Sequence, residues 1–126
     1  MSIQTTSQKM AQKAYERISD RKPDDPYISF AREFPTLVHS CGLAQALAFA
    51  RARSEHHKTY ADDLAKVLTA AGHEQVATAR DLAKRIRADL SVPQYIRLSR
   101  DALAAALWLK RYVEADGGGP TSDQGV

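Results

Sequence analysis

The sequence lacks the features on which secreted and membrane proteins depend. Its one cysteine, Cys41, cannot form an internal disulfide, and its first residues show no basic, apolar and small signal pattern. The longest uninterrupted apolar run, Ala102 to Leu109, is far shorter than the roughly 18 residues that a membrane-spanning helix needs. Asparagine is absent altogether. We therefore expect a protein of the reducing cytoplasm with no membrane partner.

The length and composition predict one folded domain. The chain has 126 residues, of which 44% are hydrophobic and 26% charged, an ordinary balance for a globular protein with a single core. The last eleven residues are rich in glycine and carry no apolar pattern. We expect a helical domain over residues 1–115 and a disordered tail over residues 116–126.

Apolar residues recur at helical spacing along the domain. Phe30, Phe34, Leu37, Val38 and Cys41 follow one another at i, i+4, i+7, i+8 and i+11, and no segment alternates with a period of two. These patterns predict an all-α fold, a single bundle of about five to seven helices.

Capping and breaking residues predict where the helices begin and end. Ser2 or Thr5 can cap the first helix, and Asp25 before Pro26 can cap the second. Pro35 predicts a kink or a restart, and Gly42 a bend. The remaining expected boundaries are a polar break at residues 56–59, a stop at Gly72 with another helix following at once, a turn from Ser91 and Pro93 through Leu98, and a last helix that Ser99 caps and that buries Leu103, Leu107 and Trp108.

The residue types that carry catalysis or bind metals are present without the necessary spacing. His39 and Cys41 lie two positions apart, which turns them to different faces of a helix, so the sequence predicts no metal or cofactor. Cys41 sits on the apolar stripe, which favours packing over a nucleophilic role. The pairs Asp24-Asp25 and Asp62-Asp63 are better interpreted as caps and solvated faces than as an acid and base, because adjacent residues on a helix diverge. No enzyme is predicted.

The basic residues form the set with the clearest functional interpretation. The formal net charge is +3, and the segment from Arg80 to Arg100 holds six cations and two acids. Such a segment is either a solvated surface or a contact for nucleic acid. Tyr95, near Arg97 and Arg100, could stack on a base or anchor a turn in the core.

Several segments together resemble one known family. They are Phe34–Val38, Cys41–Phe49, Tyr60 with Leu64, Tyr95–Leu103 and Trp108–Arg111. Over about residues 3 to 115 the chain is similar to the small subunit of type III-B CRISPR effector complexes, the Cmr (RAMP module) family. Cys41 stands where the family tends to carry Asn before Gly-Leu.

The resemblance implies a non-catalytic, RNA-binding subunit of an antiviral defence complex. In that family, copies of the small subunit stack with the large subunit into a minor filament beside the backbone subunits, and the guide RNA and target RNA lie in the groove between. Base pairing then reads the sequence, while the small subunit contacts the RNA backbone. The residues expected to face the nucleic acid are Arg51, Arg53, Arg97, Arg100, Lys110 and Arg111. A freestanding helical DNA-binding regulator remains the alternative interpretation.

Overall fold

A computed structural model describes residues 4–88 and 90–116, with no side-chain detail for Asp116. Within this part of the chain there are five α-helices and no strand: α1 (Thr6–Arg21), α2 (Asp25–Ala52), α3 (Glu55–Ala70), α4 (Ala79–Ala88) and α5 (Val92–Asp116). The predicted all-α bundle is confirmed. Asp116 belongs to α5 and not to the tail, and residues 117–126 of the predicted tail lie outside the described residues. The division into domain and tail stays a prediction.

The longest helices, α2 and α5, pack against each other and against α1 and α3, while the short α4 rests on α2 and α3. An aromatic cluster lies at the centre of the core. The ring of Tyr60 lies 5.3 Å from that of Phe30 and 5.1 Å from that of Phe34, and all three side chains are buried. Since burying one large apolar side chain stabilises a fold by roughly 1.5–3 kcal/mol, this cluster holds α2 firmly on α3.

The bend in α2 falls at Gly42 and not at Pro35. Gly42 has φ +84° and ψ 162°, and no other residue of α2 leaves helical dihedral angles. The helix runs through Pro35 although that residue has no N–H to bond the carbonyl of Ala31. The predicted bend at glycine is therefore confirmed, and the predicted kink or restart at proline is wrong.

Two of the early helix starts are capped by side chains. The hydroxyl of Thr5 accepts a hydrogen bond from the N–H of Gln8 at 3.1 Å, and the Gln8 side chain accepts one from the N–H of Thr5 at 2.8 Å, which confirms Thr5 as the cap of α1. Asp24, and not Asp25, caps α2 by accepting from the N–H of Tyr27. Asp24 wins because its backbone is extended, as a cap requires, whereas Asp25 is already helical.

The boundaries of α3 and α4 follow the prediction only in part. The predicted polar break at residues 56–59 is wrong, because α3 begins at Glu55. Gly72, with φ +106°, ends α3 as predicted. The next helix does not follow at once: Val76 is buried in the connection, and α4 begins at Ala79, where Thr78 accepts from the N–H of Asp81.

The last helix begins earlier than the sequence suggested. Pro93 stands in the first turn of α5, where its missing N–H leaves no bond unmade. Ser91 precedes the helix and exchanges hydrogen bonds with Gln94, so Ser91 and not Ser99 caps α5. Leu107 is 44% exposed, contrary to prediction, while Leu109 is fully buried.

Asp63 is a fully buried acid, so the prediction that Asp62-Asp63 forms a solvated face is wrong for this residue. Its carboxylate accepts hydrogen bonds from Arg17 at 3.0 Å, from Arg21 at 2.8 and 3.1 Å, and from the hydroxyl of Tyr27 at 2.7 Å. Burial, and then the neighbouring carboxylate, raise the pKa of Tyr27. The neighbouring Asp62 does act as a cap, accepting from the N–H of Ala79 at 2.8 Å.

Candidate nucleic-acid interface

The six predicted RNA-facing cations do not form one patch. They lie in pairs near the end of α2, in the first half of α5 and in the second half of α5. Arg97 and Lys110 are about 20 Å apart along the helix axis, because a helix rises roughly 1.5 Å per residue. The three pairs are Arg51 with Arg53, Arg97 with Arg100, and Lys110 with Arg111.

Arg51 borders a cleft between α2 and α4. The cleft holds about 300 Å³, and its wall is mostly aliphatic. Arg87 of α4 borders the same cleft, so two guanidinium groups from different helices share one surface there. The remaining lining residues are Ala44, Leu47, Ala48, Ala83 and Ile86.

Arg97 borders a second cleft, between α5 and the end of α3. This cleft holds about 270 Å³ and is mostly polar. Arg85 of α4 lines it together with His73 and Glu74. The imidazole of His73 lies 2.7 Å from the carboxylate of Asp101, which fixes the connection after α3 against α5.

The helix α4 joins the two clefts into one basic region. Its buried residues Ala79 and Leu82 face the core, and this orientation turns its cations toward solvent. We call this region the α4 surface, made of Arg51, Arg80, Lys84, Arg85, Arg87 and Arg97. Only Arg51 and Arg97 of this set were predicted as site residues, although the charge run in the sequence already indicated that α4 is basic.

Arg53 is held beside an aromatic group. Its guanidinium carbon lies 4.8 Å from the ring centroid of Phe49, an arrangement that stabilises a cation over a ring face. His57 packs on Phe30 at 4.2 Å between centroids. Burial, and then the charge of Arg53, lower the pKa of His57. Arg53 thus extends the basic end of α2 from a fixed position.

The second half of α5 carries an aromatic ridge. Tyr112 stacks on Trp108 with centroids 5.8 Å apart, Tyr15 of α1 meets Tyr112 edge-on at 5.6 Å, and Arg111 lies over Trp108 at 5.3 Å. The ring faces of Trp108 are therefore largely used inside the chain. Lys110, in the same turn, is half-buried.

Tyr95 serves the fold. Its hydroxyl accepts a hydrogen bond from the N–H of Ala44 at 3.1 Å, just after the bend at Gly42. The side chain is half-buried, so the anchoring interpretation of Tyr95 is supported over base stacking.

The other polar candidates, within the described residues, show no arrangement suited to catalysis. The thiol of Cys41 donates to the carbonyl of Leu37 at 3.2 Å and is half-buried, as packing on the apolar stripe predicted. Among residues 4–88 and 90–116 no group of three or more His, Cys, Asp or Glu could hold a metal ion. No helix in the described part of the chain is long and apolar enough to cross a membrane.

Comparison with known proteins decides the family. The family model described as CRISPR-associated protein (Cas_Cmr5) matches residues 6–116, from the start of α1 to the end of α5. The chain belongs to the Cas_Cmr5 family. The resemblance seen in the sequence, to the small subunit of the type III-B Cmr complex, is thereby confirmed.

Two relatives from Thermus thermophilus agree with the family model. A protein named CRISPR system Cmr subunit Cmr5 is 41% identical over 117 residues, which cover 90% of this chain and 96% of the relative. A crystal structure of a CRISPR-associated Cmr5 family protein is also 41% identical and superposes with a TM-score of 0.79, covering 90% of this chain and 97% of that one. The whole helical bundle is therefore shared with the Cmr5 family.

Proposed function

We propose that this protein is a non-catalytic structural subunit of a type III-B CRISPR RNA-guided effector complex, active in cytoplasmic antiviral defence. The observation that carries the proposal is the match to the Cas_Cmr5 family along the entire helical bundle, together with a close relative named as a subunit of a Cmr system. Its partners are the large subunit, the backbone subunits, other copies of itself, and the guide and target RNA.

Within such a complex the protein stacks with its own copies and with the large subunit into a minor filament. This filament lines the groove that holds the guide RNA and the target RNA. Base pairing selects the target, and the protein supplies shape and positive charge to the RNA backbone. RNA cleavage belongs to another subunit, since the described residues offer no paired acid, base or nucleophile with catalytic geometry.

The α4 surface is the best candidate for the RNA contact. Arginine binds phosphate through a planar fork of N–H donors, and two clefts of this surface each pair arginines from different helices. Arg53 adjoins it at the end of α2. Arg100, Lys110 and Arg111 lie outside it, so any contact they make with RNA involves a different stretch of the backbone.

Charge reversal within the assembled complex tests the α4 surface. The triple variant Arg51→Glu, Arg87→Glu and Arg97→Glu should weaken target-RNA binding and reduce the salt dependence by about one unit of log–log slope per lost phosphate contact. The matched control is Lys9→Glu, an exposed charge on α1, which should change neither quantity. Equal assembly of variant and wild type must be shown by native mass spectrometry.

An unchanged RNA affinity and salt slope in a fully assembled triple variant would refute the RNA role of this surface. The pair Lys110→Glu and Arg111→Glu, measured in the same way, tests the second half of α5. Recovery of the protein from its own cells without larger subunits or a guide RNA would refute the proposal as a whole.

A further inference from the structure

The outer face of α5 carries a second apolar stripe that the bundle does not cover. Its members are Val92, Ile96, Leu103 and Leu107, at i, i+4, i+11 and i+15. Val92 is 72% exposed, Ile96 59% and Leu107 44%, while Leu103 is half-buried. The four positions fall within a sector of roughly 60° and extend about 22 Å along the helix. We call them the α5 outer stripe.

This stripe is separate from the face that builds the core. The buried residues of α5 lie about 120° further around the helix. They are Leu98, Ala102, Ala105, Ala106, Leu109 and Val113. Most of them are small or fully enclosed, so the core is complete without the stripe. A row of aliphatic side chains left in water, in a helical pattern of its own, is typical of a surface that packs against a partner.

The charges beside the stripe indicate the chemistry of that partner. Arg100 and Arg111 lie along the same side of it. The side chain of Arg100 is 73% exposed and only 4.0 Å from Asp101, whose carboxylate is engaged by His73. Arg111 is exposed and rests on Trp108. Both guanidinium groups can therefore bind carboxylates from outside.

Other occupants fit this face less well. Bound RNA bases stack on aromatic or guanidinium planes, and the stripe is purely aliphatic. An antiparallel two-fold pairing of the stripe with a second copy would bring the arginines of both chains to the same side, where like charges oppose binding. An apolar groove with a cationic margin is instead complementary to a helix with an apolar face and an acidic margin.

We infer that the α5 outer stripe binds an amphipathic helix of a different protein, whose apolar side chains pack on Ile96 and Leu107 and whose carboxylates pair with Arg100 and Arg111. This inference rests on the proposed function, because the partner is sought within the assembled complex. It also gives Arg100 and Arg111 a role other than the RNA contact predicted from the sequence.

Site-specific photocrosslinking tests the inference in the full chain. A benzoylphenylalanine probe replaces Ile96 or Leu107, or Gln12 on α1 as an exposed control, and the tagged protein is purified from its own cells after irradiation. We expect both stripe positions to crosslink to one segment of another subunit that has helical apolar spacing and acidic residues within one turn, and Gln12 not to reach that segment.

Charge exchange then tests the margin. The variant Arg100→Glu should lower the crosslinking yield at Ile96 by about fivefold, the equivalent of about 1 kcal/mol for a partly exposed ion pair. Reversal of the facing acid to lysine should restore the yield. Crosslinks to RNA, to a second copy or to a segment without acids would overturn the inference, as would a yield no higher than at Gln12.

The outcomes also separate this inference from the proposed function. If the protein co-purifies with the complex but the stripe crosslinks elsewhere, only the inference fails. If the protein never co-purifies with larger subunits and guide RNA, the proposed function fails first.

Discussion

At the scale of single residues, the carboxylate of Asp63 concentrates the most interaction energy. It joins Arg17 and Arg21 of α1 and Tyr27 of α2 to α3. Asp63→Asn should lower the free energy of unfolding by about 3 kcal/mol, because breaking a buried ion pair leaves charged and polar groups without partners. Urea unfolding followed by circular dichroism measures the change.

The adjacent Asp62 provides a matched control for this substitution. Asp62 caps α4 by accepting from the N–H of Ala79, and asparagine can accept the same bond. Asp62→Asn should therefore shift the unfolding free energy by less than about 0.5 kcal/mol. Equal losses in the two variants would show that the Asp63 ion pair contributes no special stability.

Tyr60 offers the opposite test. Its hydroxyl is buried and has no hydrogen-bond partner in the described part of the chain, and burial raises its pKa. Tyr60→Phe removes a desolvated polar atom and keeps the ring, so we expect a stability within about 1 kcal/mol of wild type, unchanged or higher. A clear loss in urea unfolding would reveal a bond to this hydroxyl.

Tyr27→Phe is the comparison for Tyr60→Phe. It removes a 2.7 Å hydrogen bond to the Asp63 carboxylate and should cost roughly 1.5–3 kcal/mol, since bonds to charged groups are stronger than neutral ones. The sequence could not separate Asp62 from Asp63, because which neighbour is buried depends on how α1 docks on α3.

At the scale of helices, the bend at Gly42 is the most sensitive position. Its dihedral angles lie in a region open almost only to glycine, whereas an added Cβ would meet nothing closer than the Tyr95 hydroxyl at 3.8 Å. Gly42→Ala should therefore destabilise the fold by about 1–3 kcal/mol through backbone strain alone. The melting temperature of Gly42→Ala measures it.

The exposed Gln45, in the next turn of α2, provides the control for that substitution. Gln45→Ala changes a helical surface position and should leave the melting temperature nearly unchanged. If Gly42→Ala melted together with Gln45→Ala, the bend would not depend on glycine.

Helix existence was readable from the sequence, but helix ends were less so. Periodic apolar residues predicted all five helices, and the cap at Thr5 and the stop at Gly72 were found. The start of α5 was misplaced because Ser99 has the local appearance of a cap. The tertiary contact of Tyr95 with Ala44 favours an earlier start, and sequence spacing does not reveal such a contact.

At the scale of the whole molecule, the small net charge limits what the isolated protein can do. With a net charge of +3, it should bind single-stranded RNA or duplex DNA no more tightly than the roughly 10⁻⁴–10⁻⁶ M of non-specific contacts. Fluorescence anisotropy at physiological salt measures both. Tight duplex binding by the chain alone would support a freestanding DNA-binding regulator.

The family could be recognised from the sequence, and the interaction surface could not. Motif segments survive as strings of residues along the chain, so the Cmr resemblance was visible without coordinates. The α4 surface combines residues of α2, α4 and α5, and only the folded chain brings Arg51 beside Arg87 and Arg97 beside Arg85. Sequence spacing offered no reason to join them.

The bend of α2 also has a geometric consequence for assembly. The two halves of α2 meet at Gly42 like rods at an elbow, and the Tyr95 hydroxyl fixes the elbow from α5. In the stacked assembly proposed here, an angle set inside one copy is repeated in every copy. A change of a few degrees at one glycine would then add up along the stack, so the curvature of the whole array is set by a single backbone torsion.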